Sequence, residues 1–164
     1  MNITNTRREE RIQAGLTTRL IYLKEKIMKK SKLSKEKRTR MIKVFGRFNF
    51  HAYIEPFILE MAGHLSEDYN GGVWTSYKTK NGAFYMAPDT NLNLVVQSPN
   101  GSVRNMSADA FGVTVCRFAF SHLSFHFKAI GSNELAGVVA EQYHLLTPYV
   151  DTHAEAEAIY DICD

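Results

Sequence analysis

His122 and His126 stand four residues apart, a spacing that lets two imidazoles reach one metal ion from the same face of a helix. A zinc peptidase also requires a glutamate directly after the first histidine as general base; Leu123 stands there, so the pair reads as core or surface histidines. Cys116 with His122 or His144 has the composition of a thiol nucleophile and its base. A catalytic thiolate needs an electropositive, accessible setting, whereas Val115, Phe118 and Ala119 around Cys116 predict a buried, inert thiol. Asp89 follows Met86-Ala87-Pro88 at a strand end, and Glu67 and Asp68 precede a glycine turn. Two carboxylates divide acid and base work only where their surroundings separate their pKa values; turn and capping roles suit all three. Gly71-Gly72 lacks the further glycine and the Lys-Ser/Thr of a phosphate loop, and it leads into a strand. No catalytic set, metal site, cofactor or small-molecule substrate is expected, and an interaction protein follows by elimination.

Charge is the second clue. The 164 residues sum to +3. Residues 1–44 hold 14 Lys/Arg against four Asp/Glu, or +10, while residues 45–164 hold six against 13, or −7. The chain therefore reads as a basic arm, 1–44, on a mildly acidic domain, 45–164. In the arm, Ile12, Leu16, Leu20, Leu23 and Ile27 recur at helical spacing and predict an amphipathic helix over 7–30. Its apolar stripe can dock on the protein's own body, or Arg19, Lys24, Lys29 and Lys30 can meet nucleic-acid phosphates weakly and without sequence preference. No zinc finger or RNA-recognition signature accompanies them. Residues 31–44 read as a short helix or a linker. No run approaches the ~20 apolar residues of a membrane span, no apolar segment follows the Arg-rich opening as in a secretory leader, and Cys116 and Cys163 are too few for a disulfide framework. A cytoplasmic protein with reduced thiols is the expectation.

These candidates must be positioned by the elements of the domain. Ile54, Phe57, Ile58, Met61 and Leu65 share one face of a helix over about 53–69, stopped by Asn70-Gly71-Gly72. The periodicity then alternates. Strands are expected over 73–79 and 83–87, joined at Asn81-Gly82 by a type I′ turn, with a third over 92–96 and a short fourth from Val103. They predict a small antiparallel meander of three to four strands. Ser107 is a good N-cap and Asp109 suits the first turn of a helix to about Phe127, apolar almost all round and therefore central. Helices over about 134–146 and 152–162 follow. Strands clustered between helices give an α+β fold.

The run Glu67-Asp68-Tyr69-Asn70-Gly71-Gly72-Val73-Trp74 and the run Asn81-Gly82-Ala83-Phe84-Tyr85-Met86-Ala87-Pro88-Asp89 resemble the ArdB/KlcA family of antirestriction proteins. Phe45-Gly46, Met106-Ser107-Ala108-Asp109-Ala110-Phe111-Gly112 leading to Phe118-Ala119-Phe120-Ser121-His122-Leu123, and Tyr143-His144-Leu145-Leu146 agree in order and spacing, so the resemblance covers about 45–164. It implies a protein carried on mobile elements, plasmids or prophages among them. Such a protein would protect incoming DNA from type I restriction–modification enzymes without catalysis and without mimicking DNA. It marks Tyr69, Asn70, Gly72, Trp74, Asp89 and His122 as interaction candidates. Glu157, Asp161 and Asp164 form a second, acidic candidate surface on the last helix, suited to the basic groove of a DNA-handling enzyme. The arm is longer and more basic than the family's leader, and its role is not inherited; the alternative function is that of a DNA-binding accessory protein working through it.

Overall fold

The computed structural model describes residues 44–164 and the backbone of Ser31–Lys32. The expected helix over 7–30, with Arg19, Lys24, Lys29 and Lys30, lies outside the described residues. Ser31–Lys32 forms strand β1, where a short helix or linker was expected. The domain begins with a short α-turn, Arg47–Asn49, continues through a π-helical segment, Phe50–Ile54, and becomes helix α1, Glu55–Leu65. Strands β2 (Trp74–Lys78), β3 (Phe84–Pro88), β4 (Leu94–Gln97) and β5 (Val103–Met106) follow. Helices α2 (Ala108–Ala129), α3 (Asn133–Val150) and α4 (Ala156–Cys163) complete an α+β fold.

The first helical run starts and stops earlier than its apolar periodicity suggests. Gly46, at φ 78°, turns the chain so that its carbonyl accepts from Phe50 N–H at 2.9 Å. At the other end Ser66 is pulled into extended backbone, and its buried hydroxyl donates to the Val95 carbonyl at 2.8 Å. A tertiary bond, not the glycine pair, ends this helix. Pro56 sits in the first turn of α1, where its missing N–H leaves no bond unmade.

The expected meander is divided. β1, β2 and β3 form one antiparallel sheet and β4–β5 another, with no ladder between β3 and β4. The reason lies on the outer edge of β3. Phe84 N–H donates to Gln142 Oε1 at 2.9 Å, and Met86 N–H to Cys116 Sγ at 3.3 Å. Side chains from α3 and α2 thus occupy donors that a fourth strand would need. Both hairpins close on an Asn-Gly pair in the same way: Thr79 N–H bonds Ala83 O and Gly82 N–H bonds Thr79 O, as Ser98 N–H bonds Ser102 O and Gly101 N–H bonds Ser98 O. Only the glycines take positive φ, 92° and 93°. Asn81-Gly82 is therefore a three-residue loop with a bulge at the glycine, not the expected type I′ turn.

Helix α2 is the axis of the core. Ser107 caps it, its hydroxyl accepting from Ala110 N–H at 3.2 Å, and Ala110 through Arg117 are buried on every side. Strand β3 crosses it at Gly112, where an added Cβ would stand 2.4 Å from both Ala87 Cβ and Met86 O. Phe45 packs between Phe50, Phe84 and Phe120, fastening the N-terminal helical run to both layers. Helix α3 runs past its expected end because Tyr149 and Val150, beyond Pro148, are buried. The last helix starts later than expected, at Ala156. Among the described residues no helix is long and apolar enough to cross a membrane.

Candidate functional site

The motif turn between α1 and β2 is built by aromatic packing. Trp74 Nε1–H donates to the Tyr69 hydroxyl at 2.9 Å, their rings meet edge-on at 5.7 Å, and both lean on Phe111 at 6.2 Å. Between them the chain loops through exposed Gly71 and Gly72, at φ 85° and 116°, conformations glycine adopts without strain. Asn70 Nδ2 donates to the Asp68 carbonyl at 3.3 Å, and the Asp68 carboxylate accepts from Val95 N–H at 2.9 Å. Ser66 and Asp68 together satisfy both backbone groups of Val95, which fastens the turn to β4 as an extra strand would. Asp89 joins this end through its own N–H, which donates to Val73 O at 2.8 Å. Tyr69, Asn70, Gly72, Trp74 and Asp89 are thus brought together, with Val73 projecting at 73% exposure.

His122 is not part of this group. It is exposed on α2, stacked on Phe118 at 6.3 Å and tilted against Phe57 at 6.5 Å. It lies 11 residues beyond Phe111 on α2, about 16 Å along the axis at 1.5 Å per residue. The acidic surface is separate again and partly neutralised: Arg104 on β5 pairs with Asp161 and lies 4.0 Å from Glu157. Asp164 is exposed at the end of α4.

The most densely bonded polar group was not expected from the sequence, which offered Asp109 only as a helix-dipole residue. Asp109 Oδ1 accepts from the Tyr85 hydroxyl at 2.8 Å. Its Oδ2 accepts from the Tyr149 hydroxyl at 3.4 Å and lies 3.2 Å from His153 Nε2. His153 Nδ1 accepts from Glu155 N–H at 3.0 Å, which leaves the proton on Nε2 to be donated to Asp109. Glu155 in turn accepts from Ser107 N–H at 2.9 Å and from its hydroxyl. Rings of Tyr77, Tyr85 and Tyr149 stack at 5.2 and 5.5 Å. Burial, followed by the charge of Asp109, raises the Tyr85 hydroxyl far above the ordinary tyrosine range. Burial likewise pushes Tyr149 up to about 12. These hydroxyls are therefore protonated donors at neutral pH, and both point to Asp109. The arrangement ties β3, the start of α2, the end of α3 and the approach to α4 to one another.

The other reactive candidates lie apart from this group. Cys116 is fully buried, and burial pushes its thiol up to about 12. His126 is exposed near the end of α2. Among the described residues no three His, Cys, Asp or Glu side chains converge to hold a metal ion.

Residues 67–164 match the family described as antirestriction protein, and the chain belongs to that family. Its relatives include the antirestriction protein KlcA of Escherichia coli, 34% identical over 111 residues, covering 67% of this chain and 74% of KlcA. YafX of E. coli K12 is 30% identical over 123 residues, covering 73% of this chain and 76% of the relative. The fold is that of a solved structure from work on KlcA and ArdB, with a TM-score of 0.72 and 29% identity over 83% of this chain and 94% of the other. Those two proteins are described as having a novel fold and antirestriction activity against type I DNA restriction systems in vivo but not in vitro.

Proposed function

We propose that this chain alleviates type I restriction of incoming DNA in the cytoplasm, as a non-enzymatic inhibitor that presents a surface and does not mimic DNA. The observation that carries the reading is that two of the domain's reactive groups serve the fold: the Asp109 carboxylate accepts from three side chains and the Cys116 thiol is sealed by burial. Charge supports it. A mimic of duplex DNA has to reproduce one negative charge per ~1.7 Å of axis, which a domain of −7 carrying six cations does not do. The contact surface in this reading is the turn of Tyr69, Asn70, Gly72 and Trp74 with Asp89, in which Asn70, Gly72 and Asp89 are exposed and half-buried Tyr69 and Trp74 brace them against Phe111. Activity seen in cells but not with purified components, as for KlcA and ArdB, suits action on an assembled restriction complex or on its DNA translocation step.

Unmodified phage plated on a host with an active type I system tests this. Expression of the gene is expected to raise plating by at least tenfold, and folded Cys116→Ala and His122→Ala, which lie outside the proposed contact surface, are expected to keep that effect, whereas Asp89→Asn probes the contact itself. Equal plating with abundant folded protein would sink the proposal, and loss of protection in folded Cys116→Ala would return catalysis to consideration. The arm is tested by deleting residues 1–30, which spares β1. Retained protection removes the DNA-binding alternative; its loss, together with steeply salt-dependent DNA binding by the full chain, supports that alternative.

A further inference from the structure

A small pocket between α2, α3 and α4 holds a charge without a counterpart. Arg117 lies on α2 and is only 4% exposed. Its Nη1 donates to Thr147 Oγ1 at 3.3 Å and its Nη2 to the Tyr143 hydroxyl at 3.1 Å, while Nε is buried with no partner. The guanidinium stacks 4.7 Å from the Tyr143 ring centre and 5.3 Å from that of Tyr160. A guanidinium carries about five N–H donors, and here those in use meet neutral groups. Cys163 also receives a contact from Arg117, but burial holds its thiol up at about 11, so it supplies no negative charge near neutrality. The Asp151 carboxylate is turned to Tyr160, whose hydroxyl donates to it at 2.5 Å. Among the described residues no carboxylate forms an ion pair with Arg117.

A buried cation costs several kcal/mol unless an opposite charge accompanies it. The space beside this one, about 200 Å³, is lined by Arg117, Phe118, Ser121, His122, Tyr143 and Cys163. Ser121 is one helical turn beyond Arg117 and so shares its face of α2, and exposed His122 adds a ring N–H at the rim. Since one water takes ~30 Å³ of liquid, the space admits a group of carboxylate or phosphate size. We infer that this pocket binds a small oxyanion, a carboxylate or a phosphoryl group, held by Arg117 with help from Ser121 and His122. The site is independent of the motif turn, and the inference does not rest on the antirestriction reading.

Thermal unfolding of the full chain at fixed ionic strength, with chloride exchanged for inorganic phosphate or for acetate, tests it. A saturable rise in Tm with at least one anion is expected; phosphate alone identifies a phosphoryl ligand and acetate alone a carboxylate. Phosphate also raises Tm non-specifically by exclusion from protein surfaces, so the decisive comparison is Arg117→Met. This variant replaces a buried cation by an apolar chain of similar length, a change that is often neutral or stabilising, and it is expected to lose the saturable component. Ser121→Ala is expected to weaken the response about tenfold. Identical responses of wild type and Arg117→Met overturn the inference. If Arg117→Met does not fold, an NMR titration of the wild-type protein decides: amides of 117–122 shift saturably with phosphate or acetate, or the inference is wrong.

Discussion

The β2–β3 and β4–β5 hairpins of this domain are closed by the same Asn-Gly loop, yet they are used in opposite ways. β3 is buried along its whole length, crossed by α2 at Gly112 and bonded at its outer edge by Gln142 and Cys116. β4 alternates buried and exposed residues, and Val95, Val103 and Leu92 beside it are 49%, 53% and 73% exposed. Its other face enters the core through Leu94 and Val96, and its outer edge is bonded by Ser66 and Asp68. The first hairpin is part of the core, where close packing and saturated polar groups leave no slack. The second is the more lightly attached: one face enters the core through Leu94, Val96 and Met106, and the other is open to solvent beside the motif turn. Under the proposed function, that division separates a rigid support from a face open to a partner.

The comparison fails first at Gly112 if it is wrong. A methyl group there collides with backbone, so Gly112→Ala is expected to cost about 3 kcal/mol, the upper part of the usual range for overpacked cores. A shift of the urea midpoint equivalent to less than 1 kcal/mol would show that the seam yields. Removing the polar lock comes next. Asp109→Ala strips three donors of their acceptor and is expected to lose about 2 kcal/mol, with Asp109→Asn in between, measured the same way.

Alkaline pH probes the same seam without mutation. The buried Cys116 thiol titrates near 12 when folded against 9 when free, so the folded state holds its proton longer. Stability from this group is complete below pH 9 and drains away as pH rises to 12, roughly 1 kcal/mol being gone at pH 10. Cys116→Ala should make that limb shallower without flattening it, because Cys163, pushed up by burial from 9 to about 11, drains stability over part of the same range, and the raised tyrosines Tyr77, Tyr85, Tyr149 and Tyr160 follow from about pH 10. On the lightly attached side, Ser66→Ala removes one hydrogen bond to β4. It is expected to cost about 1 kcal/mol or less, with amide exchange speeding up in β4–β5 before it does in β3. The smallest change has the opposite sign. Gly137 is exposed inside α3 with open space around it, and Gly137→Ala should stabilise by about 0.5–1 kcal/mol.

Much of this was legible beforehand where local chemistry governs. The Ser107 cap, the all-round apolar character of α2, the two hairpins and the α+β class follow from side-chain periodicity and turn residues, and the motif runs marked the turn at Tyr69–Trp74. Local signals failed where a distant residue intervenes. Ser66 ends α1 because Val95 offers a carbonyl, and β3 declines a fourth strand because Gln142 and Cys116 already hold its edge. His122 shares a motif with residues from which the helix axis separates it.

By itself the sequence determined which segments coil or extend, how charge divides between arm and domain, and to which family the chain belongs, because these depend on residues close together or on composition. Tertiary structure alone decided that Asp109 gathers Tyr85, Tyr149 and His153, and that Arg117 is buried with no ion pair among the described residues. Partners 24 to 44 positions away reach Asp109 only when β3, α2 and α3 pack, and a charge becomes costly only when packing removes its water.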